Sequence, residues 1–198
     1  MKTVRNLVAA LVLAALPAAP ALAGWKLVRH SAPTAVAKGR LAVTPPDNWN
    51  RWSHRPVKKS EIWTLDGIAL NQLYFVSGLA PGETLYRDVA KKERPLPKLG
   101  ASQQLTDIPE FFESSTRIAL KTSLFRVTQV EPYRFAGRDG IRFAYEYAVE
   151  DSPLVRKGLA AGTVVDGQLH LIDFTAPSVF YFDRDRAKVE ALMASARL

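Results

Sequence analysis

Carboxylates are the side chains whose number and placement in this chain could do chemistry. Asp66, Asp139 and Asp166 each precede a glycine, and Asp107 and Asp183 stand where helices should begin, so turns and caps account for them. Asp173 differs, because it sits inside the apolar run Leu171-Ile-Asp-Phe174. A buried carboxylate needs a partner or a raised pKa. It is either an acid facing a ligand or one half of an ion pair with an arginine on a neighbouring strand, Arg142 or Arg156. Glu146, in its own strand-like run, poses the same choice. Either acid beside a histidine could move protons, which makes an envelope-directed hydrolase one reading of the chain.

The histidines are His30, His54 and His170. His170 precedes Asp173 by three residues in a predicted strand, so the two side chains point to opposite faces. Neither His30 nor His54 has the spacing of a metal site. There is no Gly-x-Ser-x-Gly elbow, His-Glu-x-x-His helix or Ser-x-x-Lys pattern, and Lys157-Gly158 lacks the earlier glycine of a phosphate loop. Ser114-Ser115 falls mid-helix, with Ser115 on the apolar stripe. The sequence therefore assigns no catalytic residue, metal or cofactor.

Binding chemistry is concentrated in residues 45–55, PPDNWNRWSHR. Trp49, Arg51, Trp52, His54 and Arg55 could form a stacking and hydrogen-bonding surface for a partner, since aromatic and arginine side chains dominate binding hot spots. The alternative is that Trp49 and Trp52 fold back over a sheet edge and bury their rings.

These residues must be positioned by strands and helices whose signals are readable. Asp-Gly occurs three times between strand-like runs, and both central positions of a tight type I′ turn need positive φ. Hairpins are expected at Asp66-Gly67, Asp139-Gly140 and Asp166-Gly167. Ile141, Phe143, Tyr145, Tyr147 and Val149 alternate with Arg142 and Glu146, as on a strand with one apolar face. An earlier strand is expected at Arg40–Thr44. Three helices are predicted: Glu83 to about Arg94, with acids early and Lys91-Lys92 late; one from Thr106 or Asp107, with Pro109 in its first turn; and one after Asp183, carrying Val189, Leu192, Met193 and Ala196. This order predicts an α+β domain with an antiparallel sheet, two mid-chain helices and a C-terminal helix.

Gly39–Trp49 (GRLAVTPPDNW), Phe135–Phe143 (FAGRDGIRF), Val165–Phe174 (VDGQLHLIDF) and the tail from Phe182 to Ala196 give the chain a likeness to known proteins. Over most of its length it resembles the Mog1/PsbP-like fold, and it is similar to exported bacterial envelope proteins. The resemblance implies an accessory, assembly or binding module without a shared catalytic motif. No residue matches a photosystem or nuclear-transport binding site.

Location is written at the start of the chain. Lys2 and Arg5 precede an uncharged run from Leu7 to Leu16, and Ala21-Leu22-Ala23 completes a secretory signal-peptide pattern. The run is shorter than the roughly 20 residues of a membrane span. Residues 1–23 are thus expected to be a signal peptide and residues 24–198 a single domain, periplasmic or secreted. The chain has no cysteine, which excludes disulfides, thiol catalysis and an acylated lipoprotein anchor. Its formal net charge is +8, of which Lys2 and Arg5 contribute two. Such a surface attracts anionic envelope polymer or an envelope protein, and export removes nucleic acid as a partner. A monomer is expected. The function predicted is that of an exported, non-enzymatic binding or accessory module, with charge-driven association to anionic polymer as a further alternative.

Overall fold

The C-terminal half of the chain supplies the four longest strands of the sheet. The structure, a computed structural model, describes residues 24–149, 152 and 154–198; the expected leader lies outside the described residues. The strands are β1 (Trp25–Val28), β2 (Thr34–Ala35), β3 (Ala42–Val43), β4 (Trp49–Trp52), β5 (Ser60–Thr64), β6 (Gln72–Leu79), β7 (Leu124–Phe135), β8 (Arg138–Ala148), β9 (Val155–Val165) and β10 (Gln168–Pro177). The helices are α1 (Ile108–Leu120) and α2 (Tyr181–Ala194). Eight strands join in one antiparallel sheet of order β1-β4-β5-β6-β10-β9-β8-β7, and β2 with β3 forms a separate ribbon. The α+β class expected from the sequence is the class observed.

Each sheet face carries its own core. One face buries Trp63, Phe75, Ile172 and Phe174 against Val189, Leu192 and Met193 of α2. The other buries Tyr74, Phe143, Tyr145 and Leu171 against Phe111 and Phe112 of α1. As predicted, Ile141, Phe143, Tyr145 and Tyr147 are buried on one face of β8, while Arg142 and Glu146 leave the other. The helix expected from Thr106 or Asp107 is α1, with Pro109 in its first turn, and the helix expected after Asp183 begins slightly earlier as α2.

Two expectations are corrected. No helix forms between Glu83 and Arg94. That segment buries only Leu85, the next anchors, Leu96 and Leu99, lying beyond it, and Val89, which would have continued a stripe, is 85% exposed. A helix needs a continuous apolar face to dock, and this stretch has none. The charge order and the Pro-Gly start instead serve a turn, where the Glu83 carboxylate accepts the Ala80 amide at 2.8 Å. The second correction concerns Asp139-Gly140, which lies inside β8. The β7–β8 hairpin turns at Ala136-Gly137, with φ of 52° and 76°. Gly140 is required for a different reason: a Cβ there would stand 2.5 Å from the Gly162 carbonyl oxygen on β9. Asp166-Gly167 turns β9 into β10 as expected, with φ of 52° and 71°. Asp66-Gly67 lies in the longer β5–β6 connection, where the Asn71 side chain accepts the Leu65 and Asp66 amides.

Candidate functional site

Asp173 lies near the middle of β10, the fourth strand from the β7 edge, and is 3% exposed. Tyr74 faces it from β6, and Ala160 faces it from β9. Its hydrogen-bond partner comes from two strands away. Tyr145 of β8 lies opposite Gly158 of β9, and a Cβ at Gly158 would meet the phenol ring at 2.0 Å. The missing side chain lets the ring lie across β9, and its hydroxyl donates to Asp173 Oδ1 at 2.6 Å. Above these residues α1 and the loops before β5 and β6 leave a cavity of about 390 Å³, to which Asp173, Tyr74, Tyr86, Tyr145, Tyr147 and Arg156 contribute.

The electrostatics follow from burial. Desolvation pushes the Asp173 carboxyl up to about 7, against the opposing pull of the Tyr145 hydroxyl. Burial raises the phenols of Tyr74, Tyr86, Tyr145 and Tyr147 above their ordinary value, and the adjacent Asp173 charge raises them further. The four rings are therefore neutral at pH 7. Neither arginine considered for Asp173 reaches it: Arg142 binds Glu131 at 2.6 Å, and Arg156 donates to the Ala69 carbonyl at 2.8 Å. A tyrosine hydroxyl takes the place of the expected ion pair. Glu146 is the ordinary case, meeting Arg126 at 3.2 Å.

The histidines are elsewhere. His170 is buried on the opposite face of β10, with Nδ1 3.3 Å from Ser77 Oγ, and burial pulls its pKa down to about 4. His30 and His54 are exposed near the β1–β4 margin. No histidine lines the Asp173 cavity, so the acid–histidine pair that a hydrolase would need is not formed there. Among the described residues no three His, Asp or Glu side chains converge as a metal site.

The segment singled out for binding is strand β4 and the turn after it, which separates its residues by parity. Trp49 is fully buried beside Trp63, so its ring is part of the core. Arg51 and Arg55 reach the same buried carboxylate, Glu61, at 3.6 and 3.5 Å. Glu61 also accepts the Trp63 indole N–H at 2.7 Å and the Ala37 amide at 3.1 Å. Trp52 projects from the other face, half-buried, with the exposed His54 ring 5.6 Å away. Trp25 stands opposite Trp52 in register on β1, and the neighbouring Leu27 is 58% exposed. The structure thus brings Arg51 with Arg55 and Trp52 with His54, and buries Trp49 in the core on the Arg51 side of the strand.

Sequence reasoning passed over Tyr74, Tyr86, Tyr145, Gly158, Trp25 and Glu61. Period two could place Tyr145 on the apolar face, but its reach to Asp173 depends on the register of three strands.

No protein-family description matches this sequence, and no curated protein matches it. Solved structures do. The solution structure of cyanobacterial PsbP (CyanoP) from Synechocystis sp. PCC 6803 overlays on 90% of this chain and 95% of its own, with a TM-score of 0.53 and 16% identity. LpqN, involved in cell envelope biogenesis of Mycobacterium tuberculosis, overlays on 87% of this chain and 89% of its own at 8% identity, with a TM-score of 0.34, too low to bear on the fold. Among the described residues no helix is long and apolar enough to cross a membrane. At 16% identity over nearly the full length of both chains, the likeness to CyanoP speaks for architecture alone, and that architecture is the PsbP-like fold anticipated from the sequence.

Proposed function

We propose that this protein is an exported, non-enzymatic binding or accessory module of the cell envelope that meets its partner through the β1–β4 margin. The observation that carries the reading is the pairing of Trp52 with exposed His54, opposite Trp25 and beside exposed Leu27. Exposed aromatic and aliphatic groups on the outermost strands are the material of an interface. Arg55 follows His54 in the turn and Arg51 lies on the opposite face of β4; the guanidinium groups of both are held by Glu61 while roughly a third of each side chain remains in water. The signal-peptide pattern of residues 1–23 and the net positive charge favour an envelope protein or anionic envelope polymer as the partner.

Capture of a partner from envelope extract by the purified chain tests this. Replacing Trp52 and His54 together by Ala should abolish capture with a modest loss of stability, whereas Trp49→Ala should cost about 3–5 kcal/mol as a core truncation. Capture unchanged in the Trp52/His54 variant would overturn the proposal. Capture lost in high salt for the unaltered chain would replace it with association through charge alone.

A further inference from the structure

The cavity over Asp173 lies apart from the β1–β4 margin, at the edge of the core between the sheet and α1. Tyr145 satisfies only Oδ1 of the acid; among the described residues Oδ2 has no hydrogen-bond partner. Arg156, the one cationic residue lining the cavity, is turned to the Ala69 carbonyl. A carboxylate is thus buried without a counter-charge, and a space of about 390 Å³ lies beside it, within the size range of small-molecule sites, roughly 300–1,000 Å³. Four tyrosines line that space, and an aromatic face attracts cations through its quadrupole. Tyr74 lies tilted against Tyr86 at 5.5 Å on one side of Asp173, and Tyr145 stacks near Tyr147 at 6.2 Å on the other. Ile62, Ile68 and Leu120 supply the apolar remainder.

We propose that the cavity binds a protonated organic amine, whose ammonium group meets Asp173 Oδ2 between the two tyrosine pairs while its hydrocarbon part lies against Ile62, Ile68 and Leu120. The ammonium group supplies the missing counter-charge and donates to the unpartnered oxygen, forming a charge-assisted hydrogen bond to a buried acid. An anion is repelled by the same carboxylate. An uncharged alcohol of equal size gains the apolar contacts but not the ionic one.

The test is calorimetric titration of the purified full chain with n-butylammonium, n-butanol and n-butyrate. Butylammonium should bind at least tenfold tighter than butanol, and butyrate should not bind. Asp173→Asn preserves the shape and the Tyr145 hydrogen bond but removes the charge, and it should erase the preference for the amine. Ala119→Leu, which narrows the space from α1, should weaken both amine and alcohol. Equal affinity for amine and alcohol, an unchanged preference in Asp173→Asn, or no binding of butylammonium would each overturn the proposal. None of these outcomes depends on the β1–β4 margin.

Discussion

Tyr145 and Asp173 stand on strands separated by a third, and their 2.6 Å hydrogen bond crosses that third strand above Gly158. The contact ties β8 to β10 at a carboxylate that, unlike Glu61, is buried without an arginine beside it. It also makes a glycine with ordinary strand geometry indispensable for lack of space, rather than for backbone freedom.

Gly158→Ala should therefore force the Tyr145 ring off Asp173. The inserted methyl would meet the ring at 2.0 Å, and overpacking of this kind costs about 1–3 kcal/mol. A double-mutant cycle with Tyr145→Ala checks the cause: with the ring gone, the penalty of Gly158→Ala should shrink to within about 0.5 kcal/mol. A penalty that persists would point to the backbone of β9 instead.

Two buried titratable groups should tilt stability against pH in opposite directions. Asp173 is raised from 3.8 to about 7, so its native site prefers the proton. Its contribution is complete below about pH 3.8 and lost as pH rises toward 7. His170 is lowered from 6.5 to about 4, so its contribution is complete above about pH 6.5 and lost as pH falls toward 4. Urea midpoints between pH 4 and 8 should show Asp173→Asn gaining on the unaltered chain as pH rises, by up to about 4 kcal/mol. His170→Gln should gain on it as pH falls. A flat difference for either variant would refute its assignment.

Glu61 should behave as the keystone of the β4 segment. Four donors converge on its carboxylate: Arg51, Arg55, the Trp63 indole and the Ala37 amide. Glu61→Gln replaces an acceptor by an amide N–H facing these donors and should cost about 1–3 kcal/mol in chemical denaturation. Arg51 and Arg55, each about 30% exposed, can turn to water, so either single Arg→Ala change should cost less than Glu61→Gln.

Local periodicity was legible in this chain, while lateral relationships between strands were not. Ile141 to Val149 alternate so regularly that the buried face of β8 can be read directly, and Asp173 is conspicuous as an acid in an apolar run. Its true partner could not be read, because Tyr145 comes into reach only through the registers of β8, β9 and β10. Trp49 and Trp52 illustrate the same limit. In a loop they look equivalent; on a strand, three residues apart, they must face opposite sides, and one of them enters the core. The Glu83–Arg94 segment failed differently: its charges are ordered as on a helix, but helix charges supply only tenths of a kcal/mol when no apolar stripe docks.

The pairing of β6 with β10 has a consequence for the order in which the molecule can assemble. Strands β7 to β10 form a meander with two-residue turns at Ala136-Gly137 and Asp166-Gly167, so they can close through local contacts. Tyr74 and Phe75 must wait for Asp173 and Ile172, about a hundred residues later. A chain emerging from its N-terminus presents β5 and β6, with Trp63, Leu73 and Phe75, as an open apolar edge until nearly its last strand has been delivered. Contacts so distant in sequence slow folding, and unpaired strand edges invite aggregation in the interval. The first half of this protein therefore keeps that edge open throughout its emergence, and the sheet closes only on the arrival of β10.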